Sequence, residues 1–299
     1  FDFTRRNREL HQAAFKLGNL VRYVWQTRDI AALEELRPRW ETEIARFLEG
    51  RTGPGGLFPK EQYCGDIHTP VQSLNVNARA WRALHDFGAL HTAFGDPALG
   101  RRYSAAAAEF RPVVLQAIDR ASSRTTEPPF VPIALDGGEP VHSPILHQRI
   151  GSYWNIIIGY TIGSGIFPPG SEAEHWIPHY QERHGGIFLG MVRSGGDAFN
   201  FWTGPERVNP LYGTRYTLDA LRRDEPERAL HRSGAEEVFA HLVNLGDIIV
   251  AATHSPKLIA DSSVNMLHIV RGSNGTNSVS SYLGGLTGHP NKSPSEIAR

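Results

Sequence analysis

The chain has 299 residues, enough for a sizeable core at roughly 100–200 residues per domain. Hydrophobic residues make up 40% and charged residues 21%, a globular composition, and the 31 basic and 31 acidic side chains cancel, so no global field recruits nucleic acid or anionic lipid. Cys64 is the single cysteine, which excludes an internal disulfide, and no run of roughly 18 apolar residues exists to span a membrane.

The chain opens on Phe1 and runs at once into charged residues. This predicts a natural N-terminus further upstream and leaves both a cytoplasmic and an exported location open. Leu10, Ala13, Leu17, Leu20, Val21 and Val24 then recur at helical spacing. Asp29 is placed to cap a short second helix, and Pro38 to open a third that carries Trp40, Ile44, Phe47 and Leu48 on one face. Gly50, Gly53, Pro54, Gly55 and Gly56 break the pattern. Gln72 to Phe94 reads as a helix, and Asp96-Pro97 caps and opens the next, with Tyr103, Ala107, Phe110, Val114, Ala117 and Ile118 in phase.

Glu127 to His147 is proline-rich and reads as a long loop, a kind of segment that is often functional. Ser152 to Ile162 is apolar on every side and fits a buried helix or a buried strand. Glu172 to His184 is helical in part, with Pro178 arguing against one uninterrupted helix. Asn209-Pro210 caps another helix, and Asp224 with Glu227 resembles a capping box opening one through Leu242. From Asp247 the character changes to short strand-like runs at Ile248–Ala252 and Asn265–Val270. The expectation is a mainly α domain over residues 1–246 and a β-rich segment over 247–299.

Several stretches, in order, resemble a bacterial group of six-hairpin, glycoside-hydrolase-like proteins. They are Gly56-Leu57-Phe58-Pro59-Lys60-Glu61, Gly65-Asp66-Ile67 and Asn75-Val76-Asn77-Ala78-Arg79-Ala80-Trp81-Arg82. Gly151-Ser152-Tyr153-Trp154-Asn155, Gly163-Ser164-Gly165-Ile166-Phe167 and Arg183-His184-Gly185-Gly186 follow, then Tyr212-Gly213-Thr214-Arg215-Tyr216 and the Arg223–Leu230 segment. The resemblance implies an (α/α) helical-hairpin toroid and carbohydrate processing. It also implies another hairpin before the β region, which this chain lacks, so the toroid is expected to be incomplete.

Glycoside hydrolysis needs two carboxyl groups across the scissile bond. Asp66, between Gly65 and Ile67 on a loop before a strong inner-helix candidate, is the first choice for base or nucleophile; Glu61 on the same loop is the reserve. Asp66 is also the kind of residue that simply shapes a turn. Glu182 lies near a helix C-terminus, where the macrodipole disfavours its charge and suits a general acid, although an exposed partner of Arg183 would look the same. Tyr153, Trp154, Asn155, Trp202, Tyr212 and Arg215 are the candidate saccharide contacts, with Trp154 foremost; each aromatic could equally be core. The remaining arginines read as solvated surface.

No cofactor or metal is expected. His175 and His179 share a helical face, but Pro178 intervenes and no HExxH pattern is present. Thr253-His254-Ser255 after a hydrophobic run is similar to the histidine switch of ABC-type ATPases, yet none of Lys16, Lys60, Lys257 and Lys292 follows a glycine, as a phosphate loop requires. No GxSxG elbow is present. A non-catalytic carbohydrate-binding or scaffold relative is the alternative to a hydrolase.

Overall fold

The leucine and valine stripe of the first segment forms α1 (Glu9–Thr27) and is buried along Leu17, Leu20 and Val24. The computed structural model describes residues 9–188, 191–195, 207–208, 210–223, 225, 266–273 and 276–283. The Asp29 carboxylate accepts the Ala32 N–H at 3.0 Å and so caps α2 (Ile30–Glu35). In α3 (Arg37–Glu49), Pro38 occupies the first turn, and Trp40 is fully buried with its indole N–H donated to the Leu33 carbonyl at 2.8 Å.

A short antiparallel hairpin of β1 (Glu61–Gln62) and β2 (Pro70–Val71) leads into α4 (Leu74–Phe94), which Ser73 caps. Asp96 then caps α5 (Pro97–Ala121) through the Ala98 N–H at 2.7 Å. The two long helices form a hairpin in which Gly88 and Gly100 allow close approach; a Cβ on either would run into Ser104 or Thr92.

The expected long loop follows and is packed inward, with Phe130, Val131 and Ile133 buried. The apolar stretch around Ser152 resolves as helix: α6 (Arg149–Ile157) and α7 (Gly159–Ile162), divided at Ile158. α8 (Glu172–Arg183) corrects the expectation at Pro178, since the helix runs through it. A mid-helix proline costs about 3 kcal/mol. Here the flanking Trp176, Ile177 and Tyr180 are buried, and the Tyr180 hydroxyl donates to the His142 carbonyl at 2.7 Å, so tertiary packing offsets the lost helix bond.

β3 (Ile187–Phe188), β4 (Met191–Ser194) and β5 (Arg207–Val208) make a three-stranded antiparallel sheet in that order. α9 (Pro210–Arg222) begins at Pro210, as expected, and the expected cap Asn209 lies outside the described residues. The strand foreseen at Asn265–Val270 is β6 (Met266–Ser273), paired antiparallel with β7 (Thr276–Leu283). The helix expected from Asp224 to Leu242, apart from Glu225, the run Ile248–Ala252 and the boundary at 246/247 lie outside the described residues. The described chain is thus mainly helical. No helix among the described residues is long and apolar enough to cross a membrane.

Side-chain contacts fix the directions of four helices. Arg79 of α4 lies over Phe15 of α1 at 4.8 Å, and Phe94 at the end of α4 meets Trp25 near the end of α1 at 4.7 Å. Thr161 of α7 donates to Asn75 at the start of α4 at 2.8 Å, and Arg82, two turns on, reaches the Ser164 carbonyl at 3.1 Å. Gly159 abuts Tyr216 of α9, and the Gly163 carbonyl accepts Arg222 at 2.9 Å. So α1, α4, α7 and α9 run in the same direction, while α5 returns against α4.

Candidate functional site

The common direction of these helices gathers their N-terminal ends with the β1–β2 loop. Within that loop the Cys64 N–H donates to the Ile67 carbonyl at 3.2 Å, which turns the chain tightly and leaves Asp66 exposed at the tip. The loop's base is fixed by Tyr63, whose hydroxyl donates to Glu139 at 2.5 Å. Glu139 also accepts the Ile133 and Ala134 N–H groups at 2.7 and 2.8 Å and meets His142 Nε2 at 3.0 Å, so one buried carboxylate locks the proline-rich loop to the hairpin.

The first turns of α6 complete the mouth. The Tyr153 hydroxyl donates to Asp66 Oδ2 at 3.1 Å, Arg149 donates to the Asp66 carbonyl at 3.2 Å, and the Arg149 guanidinium lies 5.6 Å from the Tyr153 ring centre. Burial first, and the Asp66 carboxylate after it, push the Tyr153 phenol up to about 12, so it remains a donor at neutral pH. From α9, Tyr212 is half-buried; burial, then Tyr160, raises its phenol, and Asp66 adds to the rise.

A cleft of about 400 Å³ runs between α1, α4, α7 and α9, from Ala14 to Gln26 along α1 and from Arg215 to Arg222 along α9. Tyr160 lines it, with two guanidinium groups close to its ring centre, Arg215 at 3.9 Å and Arg79 at 4.9 Å. Arg82 Nε donates to the Asp86 carboxylate at 2.7 Å. Arg22, Trp25, Leu218 and Arg222 also line the walls.

The structure reassigns several candidates. Trp154 is fully buried, packed among Phe130, His142 and Tyr180 with its N–H on the Val131 carbonyl at 2.9 Å, so it is core and lines no cleft. Asn155 is equally buried and organises a polar knot. It donates to the Gly186 and Arg193 carbonyls at 2.7 and 2.8 Å, its Oδ1 accepts Gln181, and its own carbonyl accepts Tyr216 at 3.1 Å. The glycine-rich motifs around these residues exist for this packing: a Cβ on Gly186 would enter Asn155, and one on Gly151 the Ile145 carbonyl. Glu61 is also structural, because its carboxylate accepts the Leu10 and His11 N–H groups at 2.7 and 3.4 Å and caps α1.

Of the others, Asp66 and Tyr153 are brought together by a hydrogen bond, Tyr212 is half-buried on α9, Arg215 lines the cleft, and Glu182 is exposed near the end of α8. Trp202 lies outside the described residues. Sequence reasoning picked Arg215 but missed Arg149, Tyr160 and the other cleft arginines, Arg22, Arg79, Arg82 and Arg222. A signal was present: Arg79 and Arg82 are three apart on α4, and Arg215 and Arg222 seven apart on α9, spacings that put each pair on one helix face. His175 and His179 stack at 5.3 Å, and no group of three or more His, Cys, Asp or Glu among the described residues could hold a metal ion.

No protein-family model, curated protein or solved structure matches the chain.

Proposed function

We propose that the chain is part of an (α/α) toroid that processes carbohydrate, a glycoside hydrolase in which Asp66 is the base or nucleophile. The observation that carries this reading is the position of Asp66. It stands exposed on a braced loop at the end where α1 and α4 begin, hydrogen-bonded by Tyr153. Four helices with a common direction and an antiparallel return in α5 are the arrangement expected of inner and outer helices of such a toroid. A carboxylate oriented by a tyrosine hydroxyl at the mouth is suited to activate water or attack the anomeric carbon, and phenol and guanidinium groups around it suit the faces and hydroxyls of a sugar. Glu182 is the proposed acid.

A second reading, glycan binding without cleavage, is favoured by one observation: Glu61, the other carboxylate of the loop, is used as a helix cap. Turnover of glycoside panels by the chain and by Asp66→Asn separates the two. Hydrolysis that the substitution abolishes, with saccharide still bound, supports the hydrolase. Binding with no hydrolysis by the unaltered chain supports the second reading, and neither binding nor hydrolysis removes both.

A further inference from the structure

The cleft is far more basic than the protein. Its charged lining consists of Arg22, Arg79, Arg82, Arg215 and Arg222 against one carboxylate, Asp86, in a chain whose formal charges sum to zero. Asp86 is already engaged by Arg82. Among the described residues no carboxylate forms an ion pair with Arg22, Arg215 or Arg222. Two of the guanidinium groups are held in place by backbone: Arg82 donates to the Ser164 carbonyl and Arg222 to the Gly163 carbonyl, both just past the end of α7. Holding like charges together opposes their mutual repulsion, and a bound anion relieves it.

We propose that this cleft takes an acidic saccharide, a short chain of uronate-type sugars whose carboxylates meet Arg22, Arg215 and Arg222. This rests on the carbohydrate reading above and names its substrate class. Guanidinium groups recognise carboxylates through paired N–H donors. The five arginines come from three helices, α1, α4 and α9, so the matching anion carries several separated charges, as a uronate chain does with one carboxylate per sugar. A lone phosphate or sulfate satisfies only one part of that wall. A volume of about 400 Å³ is in the range of sites that enclose small molecules. Trp25, 38% exposed, adds apolar surface to the cleft lining.

Isothermal titration of the full chain tests this with three probes: a galacturonic acid trimer, a neutral galactose trimer and inorganic sulfate. The expected result is binding of the uronate trimer that weakens steeply as salt is raised, with a loss of about tenfold in each of Arg215→Gln and Arg222→Gln. Gly18→Leu provides a control that leaves every arginine in place. Gly18 lines the cleft with no atom within 4 Å of an added Cβ, so a folded Gly18→Leu protein should lose the uronate trimer by obstruction. Equal binding of both trimers, insensitive to Arg222→Gln, overturns the acidic class and leaves the carbohydrate reading standing. Sulfate binding that Arg222→Gln abolishes, with neither trimer bound, overturns both. Binding of no probe overturns the proposal.

Discussion

The Tyr153 hydroxyl donates to Asp66 Oδ2 at 3.1 Å, joining the first turns of α6 to a loop 87 residues earlier in the chain. The pair is asymmetric: Tyr153 is 3% exposed and held by the core, whereas Asp66 stands in solvent. The tyrosine therefore sets the direction of the carboxylate. Tyr153→Phe keeps the ring and removes the donor. The expected outcome is a roughly tenfold loss in saccharide binding or turnover, with a stability change of about 1 kcal/mol or less, because one partly exposed neutral-to-charged bond is removed. Parallel thermal unfolding and titration check it; a large fall in melting temperature with unchanged binding would assign the pair to the fold alone.

Glu61 predicts the reverse pattern. Its carboxylate satisfies two N–H groups at the start of α1, where the helix dipole also favours negative charge. Glu61→Ala should destabilise the protein by about 1 kcal/mol, and Glu61→Gln, which keeps an acceptor oxygen, by less. Urea unfolding of the two variants measures the difference, and equal stability of both with the unaltered protein would reject the capping role.

Trp154→Ala should cost about 3–5 kcal/mol, the range for emptying a large aromatic site in a packed core. The side chain is 0% exposed and its removal also leaves the Val131 carbonyl without its donor. Denaturant midpoints give the number. A loss below about 1 kcal/mol would mean that the site collapses or is not packed as described.

Acid should weaken the fold through His91. The ring is fully buried among Trp40, Phe87 and Tyr103, and burial first, then the Arg37 charge, hold its pKa below the ordinary 6.5. A histidine depressed in the folded state binds fewer protons there than in the unfolded chain. Stability is then full above pH 6.5 and falls as pH drops from 6.5 toward the folded value. Burial lowers His184 as well, and it acts with the same sign. Melting temperatures at about pH 7.5 and about pH 5.5 should differ less in His91→Leu than in the unaltered protein. An unchanged difference would show that His91 is not among the groups responsible.

Much of the helical framework was legible without coordinates. The α1 stripe, the Asp29 and Asp96 caps, Pro38 in the first turn of α3 and the α4 and α5 faces are local. Each depends on backbone groups within a few residues and on which side of one helix is apolar. The site was legible only in part. Asp66 could be picked from its glycine-bounded loop, but Trp154 and Asn155 could not be recognised as core, since a composition of aromatic and amide says nothing about what surrounds it.

The sequence by itself determined where helices start, stop and turn their apolar faces, because those are decided by the 3.6-residue repeat and by end groups that must find a hydrogen bond close by. Tertiary structure decided everything that depends on convergence. It made Glu61 a cap for Leu10, 51 residues away, buried the Asn155 knot between α6, α8, β4 and α9, and brought arginines of three helices onto one cleft. Those pairings are set by the order and direction in which the helices pack, and periodicity within a single element carries no record of which neighbour its face will meet.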